Sequence, residues 1–562
     1  MAFIVKKKIK GRDYFYLQEN QRVGNKVKTK TIAYLGKNKR EALRKSKEIL
    51  EMLKTEDSYK KQETGDKSEL ERKSVSVDEL AIFCKRKGFV YQSGEIYGGL
   101  AGFWDFGPLG VELKNNIKRE WWNFHVTKRE DIIGIDGSLI THPSVWKASG
   151  HVEKFVEFVF VCEKCGNKIK VDKQDFEKIK SCSICGGKFE NKGEINLMFP
   201  LYIGPISQDS IKSYLRPETA QLIFINFKNV YETSRMSLPF GIAQIGKAFR
   251  NEVSPRDFLF RLREFEQMEI EYFVSPKDEK CPYKIPEIEI LIYSSEDQEK
   301  GLDPKKMRIS EAVKSKIIKK DWHAYWLGLE LLWFLSLGVD LENLRIRQHR
   351  KDELSHYSSD TWDIEYKFPF GWREVEGLAD RSDYDLVQHE KFSNKELKVF
   401  DIYLKEKFLP KVVCEPSLGV ERAFLVFMFD SYFYDKKREN IVLKIHPKLS
   451  PIKAAVLPIV RTKKSMIKLS KKIYEELREE FNVSYDEKGS IGRRYSRNDE
   501  IGTPFCITID EQGMKEKYVT FRIRDTTEQI KVGFGQILNV LREGIAGKNI
   551  LEMGEKIYTR KK

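Results

Sequence analysis

Two alternating stretches carry the side chains best suited to chemistry. The first, Ile242 to Glu252, ends in Phe249-Arg250-Asn251-Glu252, and the second runs from Arg261 to Phe273. Between them Ser254-Pro255-Arg256-Asp257 has turn chemistry, and the period of two predicts a long β-hairpin. Alternation places Arg263, Phe265, Gln267, Glu269 and Glu271 on one face of the second arm and Met268, Ile270 and Tyr272 on the other. Arg250 and Glu252 share a face of the first arm. A pocket above this hairpin would offer a guanidinium, an aromatic ring and several carboxylates. A fixed, bidentate guanidinium stabilises charge on phosphoryl oxygens better than an ammonium does. The plain alternative is a solvated charged strand face.

Three further stretches add to this inventory. Leu215-Arg216-Pro217-Glu218-Thr219-Ala220-Gln221 leads into an apolar helix, where a glutamate after proline is ordinarily an N-terminal acid favoured by the dipole. Gly371 to Gly377 carries Glu374 and Val375. Val412 to Arg422 reads as a strand running into a helix, with Glu415 and Ser417 on one strand face and Arg422 in the first turn beyond Gly419.

Cys162-Glu163-Lys164-Cys165 and Cys182-Ser183-Ile184-Cys185, each followed by glycine, have the spacing of two zinc knuckles. Such a site has four protein ligands and no open position, so it is structural; a pair of disulfides is the alternative. The remaining cysteines, Cys84, Cys281, Cys414 and Cys506, are scattered singly through a chain that reads as cytosolic, which favours the metal.

Phe249 to Glu252, the following loop, Arg261 and Phe265 together resemble the second signature motif of class II aminoacyl-tRNA synthetases. Val412 to Arg422 resembles the third, and Gly98 to Gly110 with the amphipathic run to Trp122 resembles the first. They stand in the class order, each in its glycyl form, so the chain is identified as a member of the glycyl-tRNA synthetase family of the homodimeric α2 type from about Val75 onward. The resemblance implies an α+β fold: an antiparallel catalytic sheet flanked by helices over residues 74–445, and an α/β anticodon-binding domain over 446–562. It implies a zinc-ribbon insertion near 156–195, with Cys162, Cys165, Cys182 and Cys185 holding structural Zn2+. Residues 275–320 resemble a variable insertion.

In the family the arginine at Arg250 holds the α-phosphate of ATP and is the catalytic residue, with Asn251 and Glu252 beside it. Arg261 reaches the γ-phosphate, and Phe265 and Arg422 sandwich adenine. Glu374 is the acid for Mg-ATP, with Val375 and Gly419 also at the nucleotide. Glu218, Phe265, Gln267, Glu269, Glu415 and Ser417 face the amino acid. The implied partners are glycine, ATP with Mg2+, the acceptor end and anticodon of tRNA(Gly), and a second copy of the chain. Three crowded carboxylates, Glu218, Glu269 and Glu415, should raise the pKa of at least one of them. Side synthesis of diadenosine tetraphosphate from the same adenylate stays open.

The elements that must position these groups follow from the rest of the chain. At 562 residues it has room for three or four domains. The net charge of +16 points to a polyanionic partner, and it is uneven: residues 1–73 hold 21 Lys and Arg against 11 Asp and Glu. Alternating runs from Met1 to Gly36 predict a small two- or three-stranded sheet, followed by a helix over Lys39 to Leu53 and a polar linker from Ser58 to Ser76. This front segment is similar to a small module of some transposases and reads as a basic accessory module, with a solvated domain as the alternative. Trp322 to Leu337 is apolar all round and predicts a buried helix. Beyond His446 an α/β pattern begins, and Gly489 to Tyr495 reads as a basic loop with an aromatic, suited to unstacked bases. No uncharged apolar run is long enough to cross a bilayer, so a cytoplasmic location is expected. A silent, nucleic-acid-binding paralogue would not need Arg250, Glu252, Phe265, Glu415 and Arg422 together. Among enzymes the alternative is a prolyl-, threonyl- or histidyl-type relative.

Overall fold

The computed structural model describes residues 2–9, 12–23, 26–36, 46, 70–72, 75–171, 181–204, 210–277, 280–355, 357–401 and 405–557. The expected helix over Lys39 to Leu53, Ser46 apart, and most of the linker lie outside them. The front segment forms the expected small sheet. Strands β1 (Ala2–Ile9), β2 (Arg12–Val23) and β3 (Lys26–Gly36) are antiparallel, with Leu17 of β2 opposite both Ile4 and Ala33.

Helix α1 (Val77–Lys87) opens the next unit behind a capping box, in which the Ser76 side chain accepts from Glu79 N–H and the Glu79 carboxylate accepts from Ser76 N–H. Helix α2 (Pro108–Trp122) has proline at its first position, and it needs glycine at 110: a Cβ there would lie 1.8 Å from the Phe89 carbonyl oxygen. A short strand β4 (Ile132–Gly134) follows. After helix α3 (His151–Lys154), strands β5 (Val156–Cys162), β6 (Lys168–Val171) and β7 (Phe189–Asn196) form a separate small sheet carrying the four cysteines at its turns.

The central layer is a nine-stranded, mostly antiparallel sheet. Its strands are β4, β8 (Phe240–Phe249), β9 (Glu264–Val274), β10 (Glu289–Tyr293), β11 (Lys305–Arg308), β12 (Leu344–Gln348), β13 (Asp360–Phe368), β14 (Gly371–Asp380) and β15 (Lys411–Gly419). Across the sheet they run β11-β10-β12-β13-β14-β15-β9-β8-β4. Strands β8 and β9 are the predicted hairpin, with Gln244 opposite Glu269. Residues 275–320 carry regular structure that their charge-rich sequence did not suggest: β10 and β11 within them extend the central sheet through parallel pairing of β10 with β12. Their charged residues mask the short apolar alternation Ile288, Ile290 and Ile292, all buried.

Apolar residues choose the layers. Met268, Ile270 and Tyr272 of β9 join one core with helix α5 (Asp321–Ser336), α2 and helix α7 (Val420–Asp430). As its composition predicts, α5 is buried on every side from Trp322 to Leu335. Helices α4 (Ala220–Ser234) and α6 (Tyr384–Ser393) cover the opposite face at one end, packing Phe224, Phe227 and Leu386 on Phe240, Ile242 and Phe273. The rest of that face stays open as a cavity.

The C-terminal unit has its own core. Strand β16 (Ala454–Pro458) lies between β17 (Val483–Tyr485) and β18 (Phe505–Ile509), both parallel to it. The sheet continues antiparallel through β19 (Tyr518–Ile523) and β20 (Gln529–Gly533). Between β16 and β17 runs helix α8 (Lys464–Arg478). The stretch Gly489 to Tyr495 is not a free loop: Ser490 caps helix α9 (Ile491–Glu500), which takes in the rest. Arg494 is 1 % exposed and donates to the Pro458 and Asp486 carbonyls, and Tyr495 Oη is hydrogen-bonded to Thr508, so of the two arginines only Arg493 is on the surface.

Candidate active site

The open face of the central sheet holds a cavity of about 360 Å³. Of the residues singled out from the sequence, Glu218, Arg250, Glu252, Arg261, Phe265, Gln267, Glu269, Glu374, Val375, Glu415, Ser417, Gly419 and Arg422 all line it. Asn251 does not; its backbone N–H donates to the Leu197 carbonyl at 2.7 Å. Arg263, on the same strand face, is spent on structure, donating to the Glu252 and Ala101 carbonyls.

One pole of the cavity is cationic. Arg250 follows β8 directly; its Nε donates to the Pro217 carbonyl at 3.0 Å and its guanidinium sits 5.2 Å from the Phe265 ring centre. Arg261 faces Glu252 at 3.2 Å. Across the cavity, Arg422 lies 3.0 Å from a Glu374 oxygen and 4.7 Å from the Phe260 ring. Each of these rings thus lies under a guanidinium, Phe265 under Arg250 and Phe260 under Arg422.

Glu374 reaches this pole because β14 is bulged. Glu376 pairs with Ile364 but Glu374 pairs with Glu365, leaving Val375 as the extra residue. The bulge turns Glu374 into the cavity and Glu376 into the core. Asp363 of β13 also lines the cavity, hydrogen-bonded to His349 Nε2 at 2.7 Å. Burial, with a further push from Glu374, raises Asp363 to about 6, although His349 pulls it down. A Cβ at Gly377 would lie 3.8 Å from Asp363 and 4.0 Å from Glu374, so the two carboxylates face one point.

The other pole is acidic and buried. Ser417 Oγ donates to Glu269 at 2.8 Å and accepts from Gln267 Nε2 at 3.2 Å, and Thr219 Oγ1 also donates to Glu269. Glu218 accepts from Gln221 Nε2 at 3.0 Å and faces His151 Nε2 at 3.2 Å. Glu415 is gripped by Arg381. The crowding has the expected effect, and it is divided. Burial, then the charge of Glu218, raises Glu269; burial raises Glu415 well above the carboxylate range, with Arg381 pulling back. Glu218 goes the other way, because His151 and Arg381 outweigh its burial. Glu271, predicted on the same face, does not line the cavity, although its carboxylate lies within 4.8 Å of those of Glu269 and Glu415. Both its oxygens lack a hydrogen-bond partner among the described residues, and burial, then the charge of Glu415, raises its carboxyl well above the usual range.

Sequence reasoning missed Arg381, Tyr357, His151 and the His349–Asp363 pair. Arg381 and His349 stand just past strand ends with no repeated spacing to mark them; of the carboxylates around Arg381, Asp385 is four residues on, but Glu415 and Glu218 come from other elements. The alternation of β12 and β13 could have placed Arg347 and Asp363 on one face.

The four cysteines converge. Their Sγ atoms all lie within 4.8 Å of one another, with Cys162 and Cys185 at 3.4 Å and Cys165 and Cys182 at 3.7 Å. The backbone N–H of Ile184, followed by that of Cys185, lowers the Cys182 thiol to about 6.

Two family models match the chain: the tRNA synthetase class II core domain (G, H, P, S and T) over residues 206–315, and the anticodon binding domain over 453–544. Among curated proteins, the glycine–tRNA ligase of Thermobifida fusca (strain YX) is 42% identical over 500 residues, covering 84% of this chain and 99% of the relative. The glycine–tRNA ligase of Borrelia hermsii is 41% identical over 480 residues, covering 84% and 98%. That of Geobacillus kaustophilus is 42% identical over 502 residues, covering 84% and 100%. Each match leaves about a sixth of this chain uncovered. No helix among the described residues is long and apolar enough to cross a membrane.

Proposed function

Because the chain belongs to the glycine–tRNA ligase family of class II synthetases, we propose that its cavity joins glycine to ATP as glycyl-adenylate and passes the glycyl group to the 3′ end of a tRNA. The observation that carries this is the pairing, in one cavity, of a guanidinium pole with an acidic pole. A carboxylate oxygen of glycine attacks the α-phosphorus, the bond to the bridging oxygen breaks, and diphosphate leaves. Arg250 faces the phosphoryl oxygens where negative charge grows, and Arg261 reaches the far phosphate. The base lies between Phe265 and Arg422, with Val375 and Gly419 as its floor. In the second step a ribose hydroxyl of the tRNA attacks the carbonyl carbon and AMP leaves. No residue of the chain is needed as a covalent nucleophile, and positioning supplies much of the rate.

Glu374 and Asp363 offer hard oxygens converging on one point, which fits Mg2+ accompanying ATP. When bound, the ion neutralises charge on the phosphates. At the acidic pole Glu218, Glu269 and Glu415 receive the ammonium, with Gln267 and Ser417 fixing Glu269. An added methyl changes binding by only about 1–3 kcal/mol in a pocket that merely tolerates it. Rejection of alanine therefore rests on filled space, and the packed carboxylates supply the walls.

The cysteine cluster fits a structural Zn2+: four sulfurs at tetrahedral spacing leave no open ligand position. The stretch after α1 exposes Ile96, Tyr97 and Leu100, and α2 exposes Val111, an apolar face that supports assembly as a homodimer. Within the same helix Lys114 is buried between Glu266 of β9 and Glu421 of α7, so the face is tied to the cavity wall. The C-terminal unit is the anticodon reader. Charging tests the reading: incubated with ATP, glycine and a tRNA(Gly) transcript, the protein should esterify glycine to the 3′ end, and absence of charging would overturn it.

A further inference from the structure

His151 has a place in the fold that the reaction as described does not use. It begins α3, immediately before the strands that carry the cysteine cluster, yet its ring reaches the acidic pole of the cavity, 3.2 Å from Glu218. His151 is 7 % exposed, and its ring packs against Trp146 at 5.6 Å, edge-on, and Phe155 at 5.3 Å. Its Nδ1 is 2.8 Å from Ser149 Oγ. Glu218 is held below the usual carboxylate range and accepts, so a proton on Nε2 is what would pair the two side chains across the 3.2 Å between them.

The backbone around His151 is fastened to the cysteine-bearing sheet and to the phosphate pole together. Asn196, the last residue of β7, donates to the His151 and Val152 carbonyls, both at 3.0 Å. Leu197 donates to the Phe155 carbonyl at 3.0 Å, closing the two ends of the insertion, and its own carbonyl accepts from Asn251. Phe155 lies 5.5 Å from the Arg250 guanidinium, and Ser254 Oγ donates to the Lys168 carbonyl of β6 at 3.0 Å.

We propose that His151 is a positioning residue for the amino-acid pole: its Nε2–H holds Glu218 in the orientation that receives the substrate ammonium, so that glycine binding depends on the cysteine-bearing insertion being seated. This rests on Glu218 gripping the ammonium, as argued above. Of the groups facing Glu218, Gln221 donates from the start of α4 and Arg381 stands 3.9 Å away, already committed to Asp385 and Glu415. His151 is the donor that comes from outside the catalytic sheet.

The test is glycine-dependent ATP–diphosphate exchange on the full chain with His151→Phe, His151→Gln, Glu218→Gln and the His151→Phe/Glu218→Gln double variant. Phenylalanine keeps a ring against Trp146 and Phe155 but removes the donor, whereas glutamine restores an N–H at the reach of Nε2. His151→Phe should raise the KM for glycine about 10- to 100-fold, the worth of a hydrogen bond to a charged group, with the KM for ATP unchanged. His151→Gln should recover most of that loss, and the double variant should be no worse for glycine than Glu218→Gln. If Glu218→Gln raises the glycine KM but His151→Phe does not, or if glutamine fails to rescue, the positioning role is wrong. If Glu218→Gln itself leaves the glycine KM unchanged, the reading of Glu218 falls first and the role of His151 with it.

Discussion

Arg381 donates from Nη1 to both oxygens of Glu415, at 2.9 and 3.1 Å, and from Nε and Nη2 to Asp385 at 2.8 and 2.9 Å. One buried cation thus fixes a carboxylate of the acidic pole and ties it to α6. The Tyr357 ring, 3.8 Å from the guanidinium carbon, closes its other face. Replacing Arg381 by methionine leaves both carboxylates buried without a cation, which should cost about 3–5 kcal/mol of stability. Thermal unfolding would show it as a lowered Tm, and glycine binding should weaken with it; an unchanged Tm would contradict the buried bridge.

The β14 bulge makes a second prediction. Glu376, turned into the core, lies against Glu330 of α5, and burial followed by the charge of Glu330 raises Glu376 well above the usual range. The folded protein therefore holds a proton that the unfolded chain releases above about pH 4.5, so stability falls as pH rises from there toward the raised value. Glu376→Gln removes that proton linkage. Its Tm should match wild type near pH 4 and exceed it increasingly toward pH 8, whereas parallel Tm–pH curves would show that Glu376 is ionised in the fold.

The cysteine cluster should hold one Zn2+ per chain by metal analysis. Chelation should release it and expose four additional thiols to a thiol reagent, and Cys165→Ser should lower the affinity for the metal. Resistance of all four sulfurs to alkylation after chelation, reversed by a reductant, would instead indicate disulfides.

In the C-terminal unit two adjacent arginines should behave differently. Arg494 is buried on the Pro458 and Asp486 carbonyls, so Arg494→Ala should lower the Tm. Arg493 is exposed at the start of α9, so Arg493→Ala should leave the Tm unchanged and raise the KM for tRNA. Equal effects on stability would contradict the placement of Arg494.

These contrasts mark how far the sequence could be read. The β8–β9 hairpin was legible because alternation and turn chemistry agreed, and the strand-to-helix passage at Gly419 because its pattern changes period there. The regular structure within residues 275–320 was not legible because charged residues outnumber the few isoleucines that fix β10 in the sheet. Gly489 to Tyr495 was misread because a serine cap and a buried arginine look, in sequence, like a basic loop. Arg381 and His151 could not be found at all, since their partners Glu415 and Glu218 lie on elements far away along the chain. Alternation also placed Glu271 beside Glu269, but alternation does not encode which of the two lines the cavity, and only Glu269 does.

Activation of glycine by the cationic and acidic poles together is read by ATP–diphosphate exchange without tRNA. Wild type should exchange with glycine and not with alanine, serine, proline or threonine, and Arg250→Ala should reduce the glycine-dependent rate by about 100- to 1,000-fold, the usual effect of removing a preorganised donor. Exchange that is equally supported by alanine, or that survives Arg250→Ala intact, would show that the two poles do not activate glycine in this way.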